Sequence, residues 1–288
     1  MKDLKLTSPS VISSLIEEYD FKFSKSLGQN FLADENILRK IIDSALLNSE
    51  DMVLEIGPGI GALTFAISNI VNKVVAVEID KSLIPILDKV LKNRDNVSVI
   101  HGDILKIDLK KLEETYFQKK PFKVVANLPY YITSPIIMTL LESNLNIDLM
   151  VFTVQKEVAQ RLTALPGNKD YGAITVAINY YCQAEIITYI SRNVFIPKPN
   201  VDSAVVRLIV REQPPVKLKD EALFFNLVKT VFKYRRKTLL NALSHGLEFK
   251  DKDHLENLLI NVGIDPMRRG ETLSIEEFAI ISNRIKSV

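Results

Sequence analysis

A short apolar run that ends in alternating glycines constrains the fold of this 288-residue chain more than any other feature. The run from Met52 to Ile56 is typical of a buried parallel strand, and Gly57, Gly59 and Gly61 follow it. The stretch 62–70 then suits a helix. Glycine lets the backbone turn sharply and lets a ligand approach the main chain, because it has no side chain. The pattern predicts a strand–turn–helix unit that binds a nucleoside.

An acidic residue is expected about 20 residues beyond such a loop, at the end of the next strand. The run 73–79 suits that strand, and Glu78 lies at its end. A carboxylate there can accept hydrogen bonds from both ribose hydroxyls. The alternative is a tight turn that binds no ligand. Because a dinucleotide fingerprint has its third glycine where this chain has Ala62, and because Glu55 precedes the loop, the spacing is more similar to S-adenosylmethionine (SAM) methyltransferases than to dehydrogenases.

Strand and helix patterns continue to alternate beyond the glycine loop, which predicts an α/β fold with a mostly parallel sheet and helices on both faces. Strands are predicted at 52–56, 73–79, 97–101, 123–127 and 149–154, and an antiparallel pair at 184–190 and 204–210 makes seven. The apolar run 173–182 suits a helix or a strand equally. Ligands bind beyond the carboxyl ends of parallel strands. We therefore expect one shared cleft lined by Glu55, Gly57, Glu78, Asp103 and Asn127.

The ends of the chain have a different character. Ser8 and Pro9 suit the start of a helix, 22–32 an ordered loop, and Asp34 the cap of a second helix. Pro214-Pro215 marks a linker, after which helices are predicted at 222–234, 238–247, 253–262 and 275–286. Ser274 and Glu277 form a capping box before the last of these. We predict a catalytic domain over 1–212, with an N-terminal extension over 1–33, and a helical RNA-binding domain over 213–288.

Composition excludes several classes of protein. The chain is 47% hydrophobic, enough for a buried core, and its formal net charge is only +2. Residues 211–288 hold 14 Lys/Arg and 11 Asp/Glu, a balance of +3 that leaves −1 for 1–210, so charge alone gives little information about partners. A single cysteine, Cys182, excludes an intramolecular disulfide and a cysteine-based metal site. No metal is expected. No stretch approaches 18 apolar residues, so we expect a soluble, cytoplasmic protein without a membrane partner.

The sequence Asn127-Leu128-Pro129-Tyr130 follows the fourth predicted strand and suits chemistry on an exocyclic amine. The N6 lone pair of adenine is delocalised into the ring and is a poor nucleophile. The Asn127 side-chain oxygen and the Leu128 carbonyl can both accept the N6 hydrogens and hold the nitrogen in line with the SAM methyl group. Tyr130 can stack on the base. The alternative is a turn in which Asn127 caps backbone and Tyr130 packs in the core.

Other candidate residues keep two interpretations. Asp103 suits a hydrogen bond to the adenine of SAM or a turn cap, and Glu55 suits a contact with the methionine end or a role in shaping the glycine loop. Asn30 and Leu32 are candidates to cover the cofactor. The run from Lys233 to Lys237 places four cations in five positions, which suits a phosphate backbone or a solvated surface. Arg268-Arg269 adds weak support for the binding of a phosphate backbone.

With these residues identified, the chain resembles the small-subunit (16S) ribosomal RNA adenine N6,N6-dimethyltransferase family, the KsgA/RsmA type, over nearly its whole length. That family dimethylates two adjacent adenosines in a hairpin loop near the 3′ end of the rRNA, late in subunit assembly. The resemblance is carried by Ser26-Leu27-Gly28-Gln29-Asn30-Phe31-Leu32, Glu55-Ile56-Gly57-Pro58-Gly59-Ile60-Gly61, Asn127-Leu128-Pro129-Tyr130, the run 195–206 and Arg235-Arg236-Lys237-Thr238-Leu239.

The resemblance implies which residues act. It implies Asn127 and Tyr130 as catalytic residues, with Phe195 stacking on the other face of the base. Tyr131 stands where many relatives have Asn, a departure from which we expect little consequence. SAM contacts are implied or expected at Asn30, Leu32, Glu55, Gly57, Gly59, Glu78, Asp103 and Asn127.

Three alternatives remain open at the level of sequence. Erythromycin-resistance methyltransferases resemble this fold and methylate large-subunit (23S) rRNA, although Gly28 and the run 201–206 favour the small-subunit branch. The chain is alternatively a ribosome-assembly binding module in which catalysis is secondary. A small-molecule or protein methyltransferase is the third alternative, against which the basic helical domain argues. The expected partner is 16S rRNA in the immature small subunit, and the expected state is a monomer.

Overall fold

The computed structural model describes residues 5–247 and 251–286, so the ends of the predicted domains at 1–4 and 287–288, and residues 248–250, lie outside the described residues. The chain divides into two compact units. The first contains Met1–Ala159 and Glu185–Val210, and the second contains Gln160–Ala184 and Arg211–Val288. This division differs from the predicted boundary at 212, because 160–184 groups with the C-terminal helices.

The first unit is built on a seven-stranded sheet. The N-terminal part of the chain, through the fifth sheet strand, forms α1 (Pro9–Glu18), β1 (Phe31–Leu32), α2 (Glu35–Ser44), β2 (Met52–Ile56), α3 (Ala62–Ser68), β3 (Lys73–Glu78), α4 (Ile84–Val90), β4 (Val97–His101), α5 (Leu109–Leu112), β5 (Phe122–Asn127), α6 (Thr133–Glu142) and β6 (Ile147–Gln155). Next come α7 (Lys156–Leu162), α8 (Ala173–Tyr181), β7 (Cys182–Ile190), β8 (Phe195–Ile196) and β9 (Ser203–Val210).

The sheet has the order β4-β3-β2-β5-β6-β9-β7. The first five strands are parallel and β9 is antiparallel to β6, with Phe152 opposite Val206. The chain runs outward from β2 through β3 to β4 and then returns to β5 on the other side of β2. Crossover helices therefore leave β2 and β5 in opposite directions, which opens a crevice at the carboxyl ends of these two strands. The predicted α/β sheet is confirmed.

Both faces of the sheet are covered, which explains why its strands read as continuous apolar runs. Val53, Val74 and Val125 pack with Ile41 of α2 and Ile67 of α3 in one cluster. Side chains of successive strand residues point to opposite faces. Leu54, Val75 and Val124 therefore face the other side, where they are fully buried as well.

The N-terminal segment joins the sheet domain through a second, two-stranded sheet. β1 pairs antiparallel with β8, with Phe31 opposite Ile196 and Leu32 opposite Phe195. The Ala33 amide extends the pairing by donating to the Val194 carbonyl at 2.7 Å. The predicted Asp34 cap is confirmed, since its carboxylate accepts from the Ile37 amide at 2.9 Å. The ordered loop predicted over 22–32 thus ends in a paired strand.

The second unit is helical and has its own core. Besides α8 it contains α9 (Glu221–Lys233), α10 (Leu239–Gly246), α11 (Lys252–Asn261) and α12 (Ile275–Ile285). Phe224, Leu243, Leu259 and Phe278 are fully buried in one apolar cluster. The predicted capping box is confirmed, because the Ser274 hydroxyl accepts from the Glu277 amide and the Glu277 carboxylate accepts from the Ser274 amide.

Two findings bear on the expected classes of protein. None of the described helices has the length and apolarity that a bilayer crossing requires. Among residues 5–247 and 251–286, no group of three or more His, Cys, Asp or Glu side chains is placed to hold a metal ion.

Candidate active site

A cavity lies at the carboxyl ends of β2, β3 and β5. The empty space in it, counted together with the open mouth, is about 890 Å³. Gly57, Glu78 and Asn127, which the sequence predicts to share one cleft, all line it. The other predicted site residues that line it are Asn30, Leu32, Glu55, Gly59, Leu128 and Tyr130.

The glycine loop is shaped for close approach by a ligand. Gly57, Gly59 and Gly61 have φ values of +69°, +61° and +87°, a region in which side-chain-bearing residues are strained. A Cβ atom added to Gly57 would meet nothing within 4 Å, so this backbone faces open cavity. A Cβ atom on Gly59 would lie 3.1 Å from the Phe31 ring. Gly57 therefore leaves room for a ligand, whereas Gly59 lets β1 pack against the loop.

Glu78 is held by backbone donors at the end of β3. One carboxylate oxygen accepts from the Gly59 amide at 3.0 Å and the other from the Asp80 amide at 2.8 Å. The side chain is only 3% exposed. Burial raises the pKa of Glu78 to about 7, against the lowering effect of these two hydrogen bonds. The Glu78 carboxylate thus fixes the glycine loop and titrates near neutral pH.

Glu55 lies deeper beneath the glycine loop. It is 1% exposed, and its Oε2 atom meets no hydrogen-bond partner among the described residues. The Thr64 hydroxyl lies near enough to oppose the rise in pKa, but it too is outside hydrogen-bonding geometry. Burial raises the pKa of Glu55 to about 8, and the Glu78 carboxylate adds to the rise. A buried oxygen without a partner in a cavity wall is suited to a ligand donor.

The Asn127 amide is oriented at the end of β5. Its Nδ2 donates to the Asn30 carbonyl at 2.9 Å. The Asn30 side chain in turn donates to the Gly28 carbonyl at 2.9 Å, which stabilises the turn that presents the Asn30 carbonyl. Because its NH₂ group is engaged, Asn127 presents Oδ1 as an acceptor. The next residue is fixed as well, since the Leu128 amide donates to the Thr153 carbonyl at 3.1 Å.

Tyr130 is fixed by Ser203, a residue for which the sequence predicted no role. Its hydroxyl lies 2.6 Å from the hydroxyl of Ser203, which is fully buried at the start of β9. Burial raises the pKa of Tyr130, while the Ser203 hydrogen bond opposes the rise. The phenol therefore stays neutral, and its ring is held at the cavity wall. Neighbouring Tyr131 is 55% exposed and packs near Gly28.

Two predicted site residues are not among those that line the cavity. The Asp103 carboxylate accepts from the Leu105 amide at 3.0 Å and pairs with Lys106 at 3.2 Å, as in the turn-cap alternative. Phe195 is 3% exposed and packs in the core cluster opposite Leu32. No observation tests the stacking on a target base that the resemblance implies for Phe195, so that role stays a prediction.

Gln29 is a second residue for which the sequence predicted no role. It lines the cavity between Gly28 and Asn30, and its Nε2 donates to the Asp80 carboxylate at 2.6 Å. The available signal was a pair of adjacent amide side chains within the otherwise apolar stretch 27–32. Ser203 gave a weaker signal, as a polar residue at the start of an apolar strand.

The basic run in the second unit is only partly available to a ligand. Arg235 donates to the Glu271 carboxylate at 2.5 Å and to the Lys169 carbonyl, so it stabilises the helical unit itself. Lys233, Arg236 and Lys237 are exposed. Arg268 is paired with Glu277. The three exposed cations of this run are therefore the better candidates for an anionic partner.

The chain is similar to known proteins over nearly its whole length. Residues 20–286 match the family model described as ribosomal RNA adenine dimethylase. Proteins named ribosomal RNA small subunit methyltransferase A are similar over 98% of both chains, with 51% identity in Alkaliphilus metalliredigens and 52% in a Geobacillus species. A dimethyladenosine transferase from Plasmodium falciparum superposes with a TM-score of 0.74 at 28% identity, over 87% of this chain and 95% of that one.

The 23S rRNA methyltransferase ErmE also superposes, with a TM-score of 0.69 at 27% identity over 89% of this chain and all of that one. The Rossmann-like methyltransferase fold that the sequence predicts is thereby confirmed. The family match over nearly the whole length confirms the resemblance as well. This chain belongs to the ribosomal RNA adenine dimethylase family.

Proposed function

We propose that the protein uses SAM to dimethylate N6 of two adjacent adenosines in the 3′-terminal hairpin loop of 16S rRNA, in the immature small ribosomal subunit. The observation that carries the proposal is that Gly57, Glu78 and Asn127 line one cavity. The NH₂ group of Asn127 is bonded to the Asn30 carbonyl, so that its Oδ1 atom is available to accept a hydrogen bond from a ligand. Relatives that are about half identical to this chain are named as small-subunit rRNA methyltransferases, which favours this substrate over large-subunit rRNA.

The residues present fit SAM on structural grounds. Gly57 leaves open space at the turn where backbone must approach a ligand. The Glu78 carboxylate lies in the cavity wall and suits ribose hydroxyls. The unpartnered Oε2 of Glu55 suits a donor on the methionine portion. Apolar residues that follow β3, Ile79 and Leu83, line the same wall and suit the adenine ring.

The chain's own residues orient the amine and need transfer no proton. When bound, SAM supplies a methyl group that is electrophilic because it is attached to a sulfonium. Oδ1 of Asn127 and the Leu128 carbonyl accept the N6 hydrogens of the target adenine, which directs the nitrogen lone pair toward the cofactor side. Tyr130, anchored by Ser203, stacks on the extruded base. No strong base is required, because the amine hydrogen becomes acidic only as the new bond forms.

Binding of RNA is proposed to depend on charge in the helical unit. Arg236 and Lys237 are exposed, and cations of this kind bind phosphates with strong dependence on salt. We retain 1–212 as the catalytic domain and 213–288 as the RNA-binding domain, with the protein acting as a cytoplasmic monomer. A role in subunit assembly fits the same binding mode, since binding rests on charge and transfer rests on Asn127.

The test is methyl transfer from tritiated SAM to small subunits purified from cells that lack this protein. We expect about four methyl groups per subunit, all on two adjacent adenosines of the 3′-terminal hairpin when the labelled rRNA is mapped. Large subunits and free adenosine serve as controls and are expected to stay unlabelled. Label in 23S rRNA, or binding to subunits that does not weaken with salt, would contradict the proposal.

A further inference from the structure

Gln29 lies in the segment 27–32, every residue of which lines the cavity. Both ends of its side-chain amide are engaged. Oε1 accepts from the Ser24 amide at 2.8 Å, and Nε2 donates to Oδ2 of Asp80 at 2.6 Å. The two bonds define the orientation of the amide. If it were reversed, its NH₂ group would face the Ser24 amide, another donor, and its oxygen would face the Asp80 carboxylate, another acceptor. Gln29 thus joins the N-terminal segment to the end of β3.

Asp80 is a rigid acceptor for this contact. Its Oδ1 accepts from the Ser82 amide at 2.9 Å and the Ser82 hydroxyl at 2.6 Å, while its own amide donates to Glu78. Although burial opposes it, hydrogen bonds from Ser82 and Gln29 lower the pKa of Asp80. The Gln29 contact is therefore a hydrogen bond to an ionised and fixed carboxylate, which is stronger than one between neutral groups.

The next residue makes the link to the other side of the cavity. The Asn30 carbonyl accepts the Nδ2 hydrogen of Asn127 at 2.9 Å, at the end of β5. Residues 29 and 30 are adjacent, and the bond from the Asn30 side chain to the Gly28 carbonyl restrains the turn between the two contacts. Through Asp80 and Glu78, the same series of hydrogen bonds continues to the Gly59 amide.

We propose that Gln29 is a positioning residue that couples the cofactor end of the cavity to the reacting end. It holds the Asn30 carbonyl against Asn127 while anchoring the segment to the carboxylates that follow β3. The inference rests on the proposed function, because it assigns a role in methyl transfer. It predicts that loss of the Gln29 contact weakens cofactor binding and also slows transfer at saturating cofactor, since the Asn127 amide loses a fixed partner.

A purely structural role makes a different prediction. The pairing of Phe31 and Leu32 with β8 would still hold the segment on the fold if Gln29 were lost. A residue that only stabilised the fold would lower the melting temperature and leave the properties of the folded fraction unchanged. A positioning residue changes affinity and single-turnover rate in protein that remains folded.

The experiment compares Gln29→Ala, Gln29→Glu, Asp80→Asn and the double variant Gln29→Glu/Asp80→Asn in the full chain. The double variant exchanges donor and acceptor: the introduced carboxylate still accepts from Ser24, and the introduced amide can donate to it while its oxygen still accepts from Ser82. Gln183→Ala, at an exposed glutamine of β7, is the matched control. The measurements are the Kd of SAM by equilibrium dialysis without RNA, and the single-turnover rate on small subunits at saturating SAM.

We expect Gln29→Ala to raise the Kd of SAM about 10-fold and to slow single turnover about 3- to 10-fold, as for loss of one hydrogen bond to a charged group. Gln29→Glu is expected to be at least as impaired, because two carboxylates then face each other. The double variant is expected to return both values to within about 3-fold of wild type.

Wild-type values for folded Gln29→Ala would overturn the inference, as would a double variant no better than Gln29→Glu. Either result, obtained while the wild-type protein transfers methyl groups normally, leaves the proposed function standing. Failure of the wild-type protein to transfer would instead contradict the proposed function.

Discussion

The two ends of the cavity hold their polar groups in opposite ways. At the glycine-loop end, Glu55 and Glu78 are buried carboxylates whose pKa values are raised to about 8 and about 7. At the β5 end, Asn127 and Tyr130 are neutral groups whose orientation is fixed by hydrogen bonds. Buried charge is unfavourable until a ligand compensates it, whereas an oriented neutral acceptor is ready before the ligand arrives. We therefore propose that the first end determines affinity for the cofactor and that the second serves the chemical step.

The largest effect that this contrast predicts is on the chemical step. Asn127→Ala removes the acceptor that orients the amine, and we expect single-turnover methyl transfer to fall about 10²- to 10³-fold, as for loss of one preorganised polar group at a reacting centre. The Kd of SAM is expected to rise much less, under about 10-fold. Asn72→Ala, at an exposed asparagine, is the control. A rate within 2-fold of wild type would show that Asn127 is not catalytic.

The next effect is on the stability of the fold, and it concerns Glu55, the more deeply buried of the two carboxylates. The pKa of Glu55 is about 8 in the folded protein and near 4.5 when unfolded, so its contribution to stability is fully present below about pH 4.5 and is lost as pH rises through about 8. Without ligand, the free energy of unfolding should fall by about 4 kcal/mol between pH 5 and 8 from Glu55 alone. Glu55→Gln should flatten the profile in urea denaturation from pH 5 to 8. An unchanged slope would contradict the raised pKa.

A smaller effect is predicted for Glu78. It concerns the affinity for SAM, whereas the effect predicted for Glu55 concerns the stability of the fold. Glu78 ionises near pH 7, and only the carboxylate can accept from two ribose hydroxyls while retaining its backbone donors. The affinity for SAM should therefore increase as pH rises from 6 to 8. Glu78→Gln should raise the Kd about 10- to 30-fold at pH 8 and remove most of the pH dependence, since the amide does not ionise there. Equal profiles for both proteins would contradict this role.

The same contrast explains what the sequence could predict. Glycines at strand ends indicate how the backbone must turn, and an acid there indicates where charge is needed. The predicted residues at the ends of β2, β3 and β5 line one cavity, whereas Asp103 beyond β4 is not among the lining residues. The ambiguous run 173–182 could not be assigned, because an apolar stretch suits a buried helix and a buried strand equally. In the structure Ala173–Tyr181 is a helix, and the strand begins at Cys182.

Contacts between distant segments were beyond sequence reasoning. The bond from Gln29 to Asp80 spans 51 positions and that from Tyr130 to Ser203 spans 73, so no local pattern reports either. The pairing of Phe195 in β8 with Leu32 in β1 is another contact between distant segments that no local pattern reports. The predicted roles of Asp103 and Phe195 stay predictions.

The smallest effect tests how firmly the neutral end is oriented. Ser203→Ala removes the partner of the Tyr130 hydroxyl, and Tyr130→Phe removes the same hydrogen bond from its other side while keeping the ring. Each change should slow single turnover about 3- to 5-fold, because one neutral hydrogen bond contributes about 0.5–1.5 kcal/mol. If the bond serves to hold the ring, the double variant should be no slower than either single variant. Losses that multiply in the double variant would show instead that Ser203 and Tyr130 act independently, so that the tyrosine ring is oriented by its other packing contacts.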